Sequence, residues 1–286
     1  MRTAVLGMGR MGRALAGRLL ERGHEVRIWN RTPGRAGELV GAGAVEAGTP
    51  SEAARGTEVV LMSLADDRAS HDVMAWLTGL AAGDDTPIIV DTSTVSPATA
   101  RELRDQAPGH RFLAAPILAG PPAVAAGQAM GLIGGDREHM RRLSGLWPDI
   151  FAVQRYCGDD PGNALAYKLL NNYLLMAGLA IVAEVVATGQ AAGLDPSMLR
   201  DFLFQWPTVA PALHNRLDDV IAGDHRGWFT TRLGAKDVRL TVELAASLGL
   251  DLPLARLVEH RYREAAEHGW GDADIAAIVE LIREQR

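Results

Sequence analysis

One cysteine, Cys157, stands in 286 residues, so the chain forms no internal disulfide, and this usage fits a reducing compartment. Long hydrophobic runs are also missing. The longest, Leu174 to Ala183, falls short of the roughly 20 residues that a bilayer-spanning helix needs. No secretory leader is visible, because an apolar strand begins almost at Met1. The expectation is a cytoplasmic protein with no membrane partner. Neither sign of charge dominates. Against 35 acidic residues stand 29 basic ones, and a net charge of −6 favours neither nucleic acid nor an acidic membrane surface. The eight histidines form no H-E-x-x-H pattern and no ligand cluster, so no metal is expected. No Ser-His-Asp arrangement supports nucleophilic catalysis. Low-complexity segments and short repeats are absent as well.

What the chain does have is a glycine pattern in a specific setting. Gly7-Met8-Gly9-Arg10-Met11-Gly12 follows an apolar strand, Thr3 to Leu6, and opens a helix predicted over Arg10 to Arg22. A second strand, His24 to Trp29, follows at β-α-β spacing. Gly7 lets the chain turn tightly. Gly9 removes the side chain that would block a pyrophosphate, and Gly12 lets helix and strand pack closely. The pyrophosphate would face the free N–H groups and positive end of that helix. A glycine-rich turn with no ligand is the alternative.

The second strand ends in Asn30-Arg31-Thr32, where the acid that grips the adenosine ribose of NAD is usually found. No acid stands there. Arg31 offers a planar fork suited to a phosphate, Thr32 adds a hydroxyl, and Arg35 follows one helical turn later. Asn30, Arg31, Thr32 and Arg35 therefore read as the ribose end of a site whose ligand carries a 2′-phosphate: NADP. A solvated surface arginine is the alternative for Arg31.

Apolar content of 48% is ample for a large core. To about residue 155, short apolar runs alternate with helical stretches: Val59–Met62, Ile88–Val90, Phe112–Pro116, Met130–Ile133 and Ile150–Val153. Continuous apolar strands joined by helices predict a parallel sheet covered on both faces. After Asp160 no convincing strand remains. Helices are predicted over 161–192, 195–204, 208–221, 229–248, 253–268 and 273–284. The fold class is thus α/β, a Rossmann-type dinucleotide-binding domain (1–160) followed by an all-helical domain (161–286) for substrate binding and dimerisation. The stretch Ala164 to Ala183 is apolar nearly all round, which predicts burial on every face, partly by a second subunit. The expected assembly is a homodimer or higher homo-oligomer.

Lys168 is the only charge within that stretch, and a buried lysine costs several kcal/mol unless it has a partner or a task. Asn171 and Asn172 follow three and four residues on, at the spacing of one helical face. Lysine and amide together can hydrogen-bond one substrate oxygen. A lysine reaching out to solvent, with the asparagines at a helix end, is the alternative.

With these residues in view, the chain resembles the β-hydroxyacid dehydrogenases, the group that includes 3-hydroxyisobutyrate dehydrogenase. The resemblance runs the whole length in order. It takes in the glycine turn, Asn30-Arg31-Thr32, Asp91-Thr92-Ser93-Thr94-Val95-Ser96-Pro97, Ala115-Pro116, Gly162 to Lys168 with Asn172, Lys236-Asp237, and Gly271-Asp272-Ala273-Asp274. It implies that Lys168 is the general acid/base and that Asn172 positions the substrate. It implies that Thr94 lies near the nicotinamide ribose, that Leu64 and Ala65 contact the cofactor through their backbone, and that Lys236 lies by the nicotinamide while Asp237 helps hold its helix. The family's substrate loop normally carries an aspartate and a serine where this chain has Ala114 and Leu118, and Pro121 and Pro122 follow. Leu118, Ala119 and Gly120 remain as the substrate-binding segment, with a hydroxyl and amide donors lost. That favours a less polar substrate than a short hydroxyacid.

The expected function is NADPH-dependent hydride transfer to a small-molecule carbonyl. An imine reductase is the alternative on the same fold: those enzymes share the architecture but usually replace the lysine, so Lys168 favours a carbonyl while the apolar loop favours an imine. A non-catalytic NADP-binding protein is the alternative of another class. His214, His260 and His268 are expected at the surface or satisfied in the core, and Trp206 and Trp228 fit a cleft or the core equally.

Overall fold

A computed structural model of the chain describes residues 1–80 and 86–284. They form two compact units, Met1–Lys168 and Leu169–Arg286, with the division inside one long helix.

Among the described residues the first unit is built on nine strands: β1 (Arg2–Leu6), β2 (Glu25–Trp29), β3 (Val45–Glu46), β4 (Val59–Met62), β5 (Ile88–Asp91), β6 (Phe112–Ala114), β7 (Ile117–Leu118), β8 (Ala129–Gly135) and β9 (Phe151–Tyr156). Around them run α1 (Arg10–Glu21), α2 (Gly37–Gly41), α3 (Pro50–Ala54), α4 (Asp67–Leu77), α5 (Pro97–Gln106), α6 (Pro121–Ala125), α7 (Arg137–Arg142) and α8 (Trp147–Ile150). The sheet order is β3-β2-β1-β4-β5-β6-β8-β7, with β9 on β8. β3 through β6 are mutually parallel. Val5, Leu61 and Val90 enter one apolar core and Ala4, Leu6, Val60, Met62 and Ile89 another. These strands read as unbroken apolar runs because both faces are covered.

The wholly parallel sheet expected from the sequence is corrected at its far edge. β8 runs antiparallel to β6 and to β7. Phe112 to Pro116 looks like one strand but is interrupted at Ala115-Pro116, where proline lacks an N–H for the ladder and the chain steps across to β7. The short return through α6 then pairs β7 with β8 antiparallel, which needs no long crossover.

From β1 the order continues to β2 on one side and to β4 on the other, so the C-terminal end of β1 is a switch point of the kind where ligands bind. The loops that start at Gly7, Ser63 and Thr92 all leave the sheet at this end.

The long helix α9 (Pro161–Ala191) begins in the first unit and continues into the second, which adds α10 (Pro196–Gln205), α11 (His214–Ala222), α12 (Thr231–Ser247), α13 (Pro253–Ala265) and α14 (Glu280–Arg283). Among the described residues after β9 there is no strand, only the bridge between Thr230 and Asp274. Met176, Leu179, Leu217, Val238, Tyr262 and Ile275 centre this core. Asp274 ties its last segment down. It pairs with Arg216 at 2.8 Å, both nearly fully buried, and accepts from the N–H groups of Phe229 and Ala276 at 3.2 Å.

Within the single chain the apolar helix is covered on only part of its surface. Tyr167, Leu170, Leu174 and Ile181 on α9 are each more than half exposed, at 59%, 51%, 74% and 58%. Its neighbours within the chain cover only the opposite side, so a stripe recurring every seven residues (Tyr167, Leu174, Ile181) is left open. By length and composition alone this 31-residue helix is long and apolar enough to cross a bilayer, although no single apolar run in it is. Here its buried positions belong to the cores of the two units.

Candidate functional site

The glycine turn has the geometry its sequence implies. Gly7 sits at φ +100°, a conformation that L side chains rarely adopt, and a Cβ on it would collide with the Ser63 carbonyl. A Cβ on Gly12 would overlap the Gly7 carbonyl, so α1 packs against the turn through the missing methyl. Gly9 differs. A Cβ there meets nothing within 4 Å, so its side-chain direction opens onto free space. Gly9 is also the N-cap of α1, and the helix has no side-chain cap and no acid in its first turn. Backbone around Met8, Arg10 and Met11 therefore offers an anion the positive end of a twelve-residue helix.

Asn30 links this turn to the end of β2. Its Oδ1 accepts from Met8 N at 3.0 Å, and its Nδ2 donates to the Thr32 carbonyl at 2.8 Å. Arg31, Thr32 and Arg35 are exposed. Arg35 does not follow one helical turn after Arg31, as the sequence suggested. It lies in a turn ahead of α2, with its carbonyl held by Arg13 Nη1 at 3.4 Å.

Leu64 and Ala65 follow β4 at the same end of the sheet. The Leu64 N–H already donates to Ser93 Oγ at 2.8 Å, so that amide is engaged by the protein. Ser93 N in turn donates to Asp91 Oδ1 at 2.9 Å, and both Thr92 N and Thr92 Oγ1 donate to the Met62 carbonyl. Thr94 is half-buried beside this lattice. Burial pushes the Asp91 carboxyl up to about 6, against the pull of the Ser93 N–H that donates to it and of the nearby Ser70 hydroxyl.

Lys168 does not reach out to solvent. Only 9% of it is exposed, and Nζ donates to the Ile117 carbonyl at 2.6 Å. The lysine is thereby pinned to β7, whose next residues are Leu118, Ala119 and Gly120. Gly120 is the N-cap of α6, and Pro121 and Pro122 open that helix, so the first turn lacks two N–H groups. α9 reaches this position through small residues. A Cβ on Gly162 would crowd Arg101 and the Pro97 carbonyl, and Gly134 on β8 makes room for Ala164.

One turn along α9, Asn172 is 3% exposed. Its Nδ2 donates to Asp237 Oδ2 at 2.6 Å, and Asp237 Oδ1 lies 3.1 Å from Lys236 Nζ. Asp237 thus holds both an amide and an ammonium. The sequence reading placed Asp237 as a support for its own helix and missed the bond to Asn172. Asn171, expected on the same buried face, is exposed, and its Nδ2 donates to Asn172 Oδ1 at 3.2 Å. At 100° per residue, position 171 falls on the open side of the helix.

The remaining candidates stand apart. His260 and His268 are exposed, and His214 packs on the Phe204 ring at 5.3 Å. Trp206 stacks on Phe202, and Trp228 lies under the Arg216 guanidinium. No group of three or more metal-ligating residues is found among the described residues.

Residues 2–153 match the NAD binding domain of 6-phosphogluconate dehydrogenase, and residues 162–282 match the NAD-binding domain of NADP-dependent 3-hydroxyisobutyrate dehydrogenase. The chain belongs to the β-hydroxyacid dehydrogenase superfamily. Glyoxylate/succinic semialdehyde reductase 2 of Arabidopsis thaliana is 29% identical, over 97% of this chain and 78% of its own. A structure of Mycobacterium tuberculosis 3-hydroxyisobutyrate dehydrogenase with L-serine aligns at a TM-score of 0.83 and 26% identity, covering 99% of this chain and all of the other. An imine reductase from Streptomyces aurantiacus aligns at 0.64 and 26% identity over 99% of both chains. Membership of the β-hydroxyacid dehydrogenase superfamily makes the chain an oxidoreductase with a Rossmann-type NAD(P)-binding domain and a helical C-terminal domain.

Proposed function

We propose that the chain is an NADPH-dependent reductase in which Lys168 delivers a proton to the oxygen of a weakly polar carbonyl substrate. The observation that carries this reading is the buried Lys168 ammonium fixed to the substrate loop through the Ile117 carbonyl. A non-catalytic binding protein has no evident use for so costly a group.

The residues present suit a dinucleotide phosphate. Gly9 leaves open space over an uncapped helix end, Asn30 ties that turn to the ribose segment, and Arg31 stands exposed to solvent with Thr32 beside it. When bound, NADPH supplies the hydride. Lys168 stabilises the negative charge that grows on the carbonyl oxygen and then gives up a proton from Nζ. Asn172 gives one Nδ2 N–H to Asp237, and its second Nδ2 N–H is the donor that orients the substrate oxygen. Leu118 and the two prolines supply apolar surface and few donors, which disfavours a carboxylate removed from water.

The same loop favours a second reading, reduction of an imine, in keeping with the Streptomyces aurantiacus neighbour. For the assembly we infer at least a homodimer, supported by the open apolar stripe on α9. The test is a cofactor and substrate screen. NADPH should bind at least tenfold tighter than NADH, about 1.4 kcal/mol, and Arg31→Ala should erase most of that preference. Among substrates, a bulky apolar aldehyde or ketone should outrun glyoxylate in kcat/KM. Equal cofactor affinities refute the NADPH assignment, faster glyoxylate refutes the apolar pocket, and turnover of imines alone moves the reaction to the second reading.

A further inference from the structure

Asp91 closes β5 as the register partner of Met62 on β4 and Ala114 on β6, and it is 1% exposed. A buried carboxyl at the end of a core strand is costly, and an asparagine of the same shape would accept equally well from Ser93 N. The carboxylate therefore calls for a reason beyond shape.

Its contacts lead in one direction. Ser93 donates to Asp91 Oδ1 through its backbone N–H at 2.9 Å, and its hydroxyl oxygen, beside the same carboxyl, accepts from Leu64 N at 2.8 Å. Leu64 is joined to Ser63, whose carbonyl is what a Cβ on Gly7 would strike. The Gly7 carbonyl is in turn what a Cβ on Gly12 would strike. Asp91, Ser93, the Ser63–Leu64 peptide, Gly7 and Gly12 thus form one contiguous packed series. A second tether runs alongside, because Asp67 at the start of α4 accepts from Ser96 N at 2.8 Å and from Thr99 Oγ1 at 2.7 Å.

We infer that Asp91 is a positioning residue for the dinucleotide site: through Ser93 it sets the Leu64 peptide, and with it the wall on which the glycine turn is packed. This rests on the reading that a dinucleotide binds at that turn. A hydrogen bond to a charged carboxylate is about twice as strong as one to a neutral acid, so the wall is held firmly with Asp91 ionised and loosely with it protonated. The groups facing Asp91 are Asp67 and the Ser70 hydroxyl from α4, Ser93 from the following loop, and the apolar partners Met62 and Ala114 from the flanking strands. Asp67 opposes its ionisation, and burial opposes it more, so the carboxyl titrates near 6 rather than in the ordinary carboxylate range. Dinucleotide affinity should then fall as pH drops through that region.

The 2′-phosphate of NADPH itself takes up a proton near pH 6, by analogy with other phosphomonoesters, so the readout is a difference between proteins. NADPH dissociation constants are measured by fluorescence titration from pH 5 to pH 8 on the full chain, for the wild type, Asp91→Asn and Ser93→Ala. Between pH 8 and pH 5 the wild type should lose about three- to tenfold more affinity than Asp91→Asn, up to one unit of linked pKa change. Ser93→Ala should bind about tenfold more weakly at pH 8 and share the shallow pH slope of Asp91→Asn. Parallel slopes for wild type and Asp91→Asn overturn the role of Asp91 while leaving the cofactor assignment standing. A wild type that binds no dinucleotide at any pH overturns the cofactor assignment and this inference with it. Full affinity in Ser93→Ala overturns the route through Leu64.

Discussion

Replacing Lys168 by methionine should remove catalysis and leave the fold intact. The side chain is 9% exposed and its ammonium donates to the Ile117 carbonyl at 2.6 Å. A hydrogen bond to a charged group contributes about 1.5–3 kcal/mol, while taking the ion out of water costs several kcal/mol. These terms are similar in size and opposite in sign. Methionine is unbranched, of comparable length and adaptable, so it fills the space without a cavity. The net change in unfolding free energy should therefore lie within about 2 kcal/mol of zero, measured by urea unfolding. The kinetic effect has no such offset. Loss of a proton donor to the developing oxyanion should lower kcat by roughly 10²–10⁴, or about 2.7–5.5 kcal/mol of transition-state stabilisation. NADPH affinity should hardly move. A variant that keeps kcat within tenfold of wild type refutes the proton-donor role. A variant that loses more than about 3 kcal/mol of stability shows instead that the lysine is a structural strut.

Two further outcomes follow from the second unit. Asp237→Ala should strip Asn172 Nδ2 and Lys236 Nζ of a shared buried acceptor, costing about 3–5 kcal/mol in urea unfolding and raising KM for the carbonyl substrate; unchanged stability would mean that the pair is held by other groups. His225 lies buried against Glu280 at 2.9 Å and Asp219 at 3.3 Å; burial alone lowers its pKa, but the hydrogen bonds to these two carboxylates outweigh that and raise it above 6.5. A raised folded-state pKa contributes stability that is present below pH 6.5 and lost as pH rises through the higher value. Thermal midpoints should accordingly fall between pH 6 and pH 9 in the wild type and change less in His225→Asn; equal pH dependence in both would place the proton elsewhere.

The parts of the molecule that were legible in the sequence are those in which local pattern and tertiary demand coincide. Residues 7–12 sit between an apolar run and a helical period, and the glycines are required where the carbonyls of Ser63 and Gly7 approach. Local information sufficed. It did not suffice at Phe112–Pro116, where five apolar residues resemble one strand and only the pairing of β7 with β8 reveals two. Nor could hydropathy tell cover by the chain's own core from cover by something else on α9, which is why Leu174 emerged as one of its most open residues.

The site divides along the same line. Lys168 announced itself as the lone charge in an apolar stretch, because a buried ion is improbable without a purpose. The groups that aim the site gave no such signal. Asn172 meets Asp237 across 65 positions, and Leu64 meets Ser93 across 29. Each of these residues is unremarkable in its own neighbourhood, since asparagine, serine and aspartate are common at helix ends and turns. What distinguishes them is burial together with a partner of matching chemistry, and both are properties of the folded chain. A buried polar group must be satisfied to be tolerated, so each such group is tied to the distant residue that satisfies it. Asp91 stands in that position, at the far end of the packed series that begins at the Gly7 turn.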